Sequence, residues 1–156
     1  MIRCMTAFAL ATALTAPMMA QGTSTGNMDI LRQKIKADKK LIVAANLKLT
    51  DAEGTKFWPV YEAYQKDLEQ LNKRASGTIL SYAEAYNKGP VSDDAAKKLL
   101  DQSLAIDEAE AKLKREMASK AMAVLPASKA ARYVQIENKI RAAIRYELAD
   151  NIPLVE

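Results

Sequence analysis

Between Thr50 and Gly89 the chain carries an apolar stripe, Phe57, Tyr61, Tyr64, Leu68, Leu71 and Ala75, whose members recur in alternating steps of four and three. Ile79, Tyr82 and Tyr86 continue it. This spacing holds the stripe on one side of an α-helix and is what a helix needs to lie along another helix; a half-buried strand would need alternation by two. The stretch therefore predicts one helix, ending at Asn87 where Gly89-Pro90 stops it. At 1.5 Å per residue it is about 55 Å long. Pro59 falls inside it, removes one backbone bond and predicts a bend.

The start of this helix is marked by Leu49-Thr50-Asp51-Ala52-Glu53. Thr50 is placed to cap it, Glu53 to reach back to the cap amide, and Leu49 to act as a hydrophobic staple. Asp51 and Glu53 suit the positive end of the helix dipole. Upstream, Asp29 to about Leu47 reads as a first helix, with Leu31, Ile35, Leu41, Ile42 and Ala45 on one side and Arg32, Lys34, Lys36, Lys39 and Lys40 on the other. Downstream, Ser92-Asp93-Asp94 opens a third helix that runs to about Val124, with Leu99, Ile106, Leu113 and Met117 as its seam. Leu125-Pro126-Ala127-Ser128-Lys129 ends it and begins a fourth, since proline is tolerated in a first turn. That helix carries Tyr133, Ile136, Ile140, Ile144 and Leu148 and stops near Asn151-Ile152-Pro153. Short connections make the neighbours antiparallel hairpins. The expected fold is all-α, a thin elongated bundle of four helices over residues 29–156, with homodimer formation covering what so shallow a core leaves exposed.

The first twenty residues read as a secretory signal: a basic start at Arg3, an apolar run from Cys4 to Ala16, then Pro17-Met18-Met19-Ala20 before the cut. The run is too short for a permanent span. Residues 21–28 read as a flexible lead-in. Cleavage after Ala20 removes the only cysteine, Cys4, so no disulfide is expected. It also removes Arg3, the only charged residue of the segment, and takes the formal net charge from +4 to about +3. So mild a balance does not point to nucleic acid; it suits acidic surfaces, acidic lipid or unfolded polypeptide, with membrane-surface contact not expected.

Catalytic chemistry finds few handles. The chain has no histidine, which removes the commonest general base and transition-metal ligand. The acidic clusters Asp93-Asp94 and Asp107, Glu108, Glu110 lack the glycine-bearing calcium-loop pattern. No serine has a lysine three residues on, and Gly22 and Gly26 do not form a phosphate loop. We expect a non-enzyme without cofactor or metal.

Helix starts of the form Leu-Thr-x-x-Gln, twice in an exported all-helical chain, mark the Spy/CpxP family, which this sequence resembles over most of its mature length. Leu49-Thr50-Asp51-Ala52-Glu53 is the first copy, with Glu53 where the family has Gln. Leu125-Pro126-Ala127-Ser128-Lys129 is the second, keeping the leucine and the place before a helix. The chain also looks like a group of secreted bacterial proteins with Phe57-Trp58-Pro59-Val60-Tyr61, a run from Arg132 to Lys139 and a terminal Ile152-Pro153-Leu154. The Spy/CpxP likeness implies a cradle-like periplasmic homodimer that holds unfolded clients without ATP, or one that damps an envelope-stress sensor. The family's zinc-binding branch relies on ligands this chain lacks.

Candidate client- or partner-binding residues are Arg32, Lys36, Lys39, Lys40 and Trp58. The basic side of the first helix is either a partner surface or a solvated outer face. Trp58 lies off the stripe and is either exposed beside Pro59, suited to loose apolar binding, or packed against another helix. Leu49, Thr50, Glu53, Pro59, Leu125 and Pro126 are read as structural, and Arg132, Gln135 and Asn138 as a polar ladder on the fourth helix. Two functions follow as expectations: an ATP-independent holdase of the envelope, or a regulatory or structural protein that binds one specific partner.

Overall fold

A computed structural model describes residues 38–155. The expected signal sequence, the expected lead-in, the expected helix start at Asp29, and Leu31, Arg32, Ile35 and Lys36 lie outside the described residues. From Lys39 onward the chain forms one compact unit. It is all-α: α1 covers 38–47, α2 Asp51–Tyr86, α3 Asp93–Val124 and α4 Ala127–Asn151. No strand occurs among the described residues.

The helix ends are set locally. Thr50 caps α2 and both halves of the capping box form: Glu53 N–H donates to Thr50 Oγ1 at 3.3 Å, and Thr50 N–H donates to Glu53 Oε2 at 2.8 Å. Gly89, at φ 126°, makes the turn after α2, a conformation side-chain-bearing residues avoid. Ser92 caps α3, its Oγ accepting from Ala95 N–H. Pro126 occupies the α4 cap position without a side-chain bond. Helix α2 runs through Pro59, which is exposed, so water can reach the Thr55 carbonyl that the missing N–H leaves unpaired.

Ion pairs fix the directions of the helices. Helix α4 turns back along α3, with Arg141 and Arg145 facing Glu110 and Asp107, while α2 and α4 run parallel. At the start of α2 and α4 Lys129 lies beside Glu53 and Tyr133 beside Phe57, each pair seventy-six residues apart in the chain; farther along, Gln65 meets Glu137 and Asn72 meets Arg141. The stripe on α2 behaves as its spacing predicts, and Phe57, Tyr61, Tyr64, Leu68 and Leu71 are buried. They meet Met117 and Ala121 of α3, Leu125, and Ala130 and Tyr133 of α4, with Leu49 and Leu113 packed at the edge.

Two expectations are corrected. The inward side of α1 carries Val43 and Leu47, while Leu41 and Ile42 are exposed. The core also stops short: beyond Leu71 on α2, before Met117 on α3 and after Glu137 on α4, no residue is fully buried. Ile144 and Leu148, at the right spacing on α4, stay in water, as do Leu80, Leu100 and Leu104.

Lys129 ties three elements together, its Nζ lying 2.6 Å from Glu53 Oε2 and 3.1 Å from the Lys48 carbonyl. The segments 49–53 and 125–129 thus meet at their last residues, Glu53 and Lys129, whose opposite charges form an ion pair. The Lys129 ammonium and the Thr50 amide hold the Glu53 carboxyl below its ordinary value. A depressed carboxylate contributes stability above its unfolded pKa and loses it as pH falls through the folded value. The part of the stability that Glu53 supplies should therefore be level above the ordinary carboxylate range and decline below it, and Lys129→Ala should flatten that decline in acid titrations of the melting temperature. Replacing Thr50 by Ala should cost about 1 kcal/mol through the lost cap, measured by urea unfolding.

Candidate binding surfaces

Of the residues singled out for binding, Lys39, Lys40 and Trp58 are described, and these three do not form one face. Lys40 and Trp58 come together: the Lys40 ammonium lies 5.1 Å from the indole centroid and 2.7 Å from Glu62 Oε1. Trp58 takes the packed alternative. It is half-buried against the core, edge-on to Phe57 at 5.3 Å and to Tyr61 at 5.5 Å. Its ring lies over Gly54, where an added methyl would come within 3.4 Å of Nε1.

Lys39 turns the other way, into the protein. Its side chain is 12% exposed and its Nζ lies 2.7 Å from Glu137 Oε2, a side chain only 1% exposed. Gln65 closes the triangle, accepting from Lys39 Nζ at 2.9 Å and donating to Glu137 Oε1 at 3.0 Å. Burial pulls the Lys39 pKa below its ordinary value, and the facing carboxylate offsets this only in part. Beside Glu137 the Tyr133 ring is fully buried, and its hydroxyl has no partner at hydrogen-bonding geometry. Burial first, then the Glu137 charge, push the Tyr133 hydroxyl pKa up, so it stays protonated.

Sequence reasoning missed Glu137 and Gln65. The signal was present: Tyr133, Glu137 and Ile140 share one side of α4, so Glu137 is a charge on an apolar stripe. Likewise Lys39, Val43 and Leu47 recur at steps of four. The polar ladder on α4 is reduced to Asn138, which accepts from Lys114 at 3.4 Å; Arg132 and Gln135 are exposed. The inter-helix clamp is instead Arg141, which grips Glu110 and donates to Asn72 at 2.9 Å, with Arg145 reaching Asp107 at 2.7 Å. Burial alone would raise the Glu110 carboxyl, but the two guanidiniums hold it below its ordinary value.

The second surface is the far half of the helices. Leu80 is 64% exposed, Leu100 58% and Tyr146 76%, with Leu104, Ile144 and Leu148 also uncovered. An open groove between α2 and α3, lined by Arg74, Gly77, Thr78, Lys98 and Asp101 among others, adjoins this region. Among the described residues no group of three or more acidic side chains or cysteines is arranged to hold a metal ion, and no helix is long and apolar enough to cross a membrane. Comparison of the chain with protein-family models, with curated proteins and with solved structures gives no significant match.

Lys39 and Glu137 should be strongly coupled. Removing one partner, as in Lys39→Met or Glu137→Gln, leaves a buried group uncompensated and should cost about 3–5 kcal/mol. The double change Lys39→Met with Glu137→Leu should recover most of that loss in a denaturant-unfolding cycle.

Proposed function

We propose that this chain is an exported, non-enzymatic helical protein of the periplasm that holds unfolded polypeptides without ATP, as its likeness to the Spy/CpxP family implies, and that it does so as a homodimer. The observation that carries this reading is the uncovered far half. A helical domain that buries its α2 stripe from Phe57 to Leu71 leaves six large apolar side chains on three helices in water, interleaved with lysines, arginines and aspartates. Single exposures are ordinary, but six large apolar side chains at one end of three helices, on more than one side of α4, are what a surface for loose contact presents. Apolar side chains set among charges favour loose, reversible contact with exposed segments of many sequences over one tight fit.

Lys39 serves the fold, so the basic side of α1 offers Lys40 alone among the described candidates, and that lysine is already engaged with Glu62 and Trp58. Client contact is therefore assigned to Leu80, Leu100, Leu104, Ile144, Tyr146 and Leu148 in place of the α1 lysines and Trp58.

Light scattering of a chemically denatured client tests this. The wild type should slow aggregation at near-equal molar ratio without nucleotide. Leu100→Glu with Leu104→Glu should abolish most of the protection while far-ultraviolet circular dichroism stays unchanged, since both sites are exposed on a helix. No protection by the wild type at several-fold excess removes the holdase reading. A single tight complex recovered from periplasmic extract would then favour the specific-partner function.

A further inference from the structure

We infer that α1 is an exchangeable arm, and that the groove it fills between α2 and α4 also takes α1 of a second copy of this chain. This does not rest on the holdase reading.

The occupant is identified by what already sits in the groove. Helix α1 inserts Val43 and Leu47, both fully buried, and delivers Lys39 to Glu137 and Gln65 and Lys40 to Glu62. These polar contacts run from α1 to α2 and α4 and involve no residue of the connection, so an identical arm from another copy satisfies them equally. The complementarity is one of charge as well as shape: a basic, aliphatic face on α1 meets a buried and an exposed glutamate beside an aromatic wall.

The connection gives the arm a reason to leave its own groove. Only residues 48–50 separate α1 from α2, and Lys48 sits at φ 48°, in the left-handed region that residues other than glycine avoid. Opening this hinge releases Lys48 and gives up one bond, from Lys129 Nζ to the Lys48 carbonyl. An opened chain cannot rest as a monomer, because Glu137 would lose its cation and the aromatic wall its cover. A second open chain supplies both. The closed arm also leaves Leu41 and Ile42 in water on its outer side.

Mixing two full-length single variants, Lys39→Glu and Glu137→Lys, tests the exchange. Alone, each variant brings like charges together in its own groove. In an exchanged heterodimer, one groove holds the reversed pair and the other the native pair, so both are satisfied. After co-refolding, native mass spectrometry should find the heterodimer about tenfold above statistical mixing. The chain carrying both changes should fold and melt close to wild type, which separates loss of the pair from failure to fold. Lys48→Gly, which relieves the closed hinge, should lower the dimer fraction about fivefold per hinge. Lys48→Pro, which cannot adopt a positive φ, should raise it. Heterodimer at the statistical ratio, or dimer formation indifferent to both Lys48 variants, overturns the proposal. A dimer made through the far apolar surface gives that second pattern and is lost in Leu100→Glu with Leu104→Glu, whereas the exchanged dimer survives those changes.

Discussion

The arrangement depends on one ring. Tyr133, fully buried on α4, stands edge-on to Phe57 at 4.9 Å and to Tyr64 at 6.5 Å, with Tyr61 tilted beside it at 6.0 Å. Aromatic pairs at these separations favour edge-to-face contact, each adding about 0.5–1.5 kcal/mol beyond the area buried. Large rings also bridge a wider gap than aliphatic side chains, which suits two parallel helices that must leave room for α1 between them. The Phe57 and Tyr133 layer thus fixes the parallel register, and the Glu53 and Lys129 pair one turn away holds the same offset.

The same layer explains why a charge can be kept inside. Glu137 lies one turn beyond Tyr133, walled by aromatic rings on one side and reached by Lys39 and Gln65 on the other. Such a pair adds little net stability, since desolvating two ions offsets most of their attraction. What it adds is selectivity. An arm docked one residue out of register would leave a carboxylate buried and alone, so α1 has one acceptable position where two apolar residues by themselves would permit several.

The parts of this structure that were legible in the sequence are those decided locally. The α2 stripe, the capping box at Thr50 and Glu53, the Ser92 cap and the glycine turn each depend on neighbours within a few positions. The orientation of α1 was not legible, because Leu41, Ile42 and Ala45 make as plausible an inward face as Val43 and Leu47. The choice falls to Glu137, distant in sequence, which draws Lys39 inward. The far half escaped for a different reason. Spacing tells which side of a helix is apolar, as at Ile144 and Leu148, but it does not tell whether any element arrives to cover that side. For the binding residues the pattern of charge was visible, yet it did not distinguish a lysine that faces water from one that closes a buried ion pair.

The parallel register of α2 and α4 carries a consequence for how such a chain can change length. Helix α3 returns the chain from the end of α2 to the start of α4, so the offset across the Phe57 and Tyr133 layer counts the residues spent going out along α2 and returning along α3. Adding matched whole turns to the end of α2 and the beginning of α3 moves the Gly89 turn outward and leaves every contact near Glu53, Tyr133 and Glu137 in place. An unmatched insertion shifts one helix against the other and breaks those contacts together. Reach is thus adjustable at the turn end, while the opposite end, where α1, α2 and α4 converge, tolerates no such freedom.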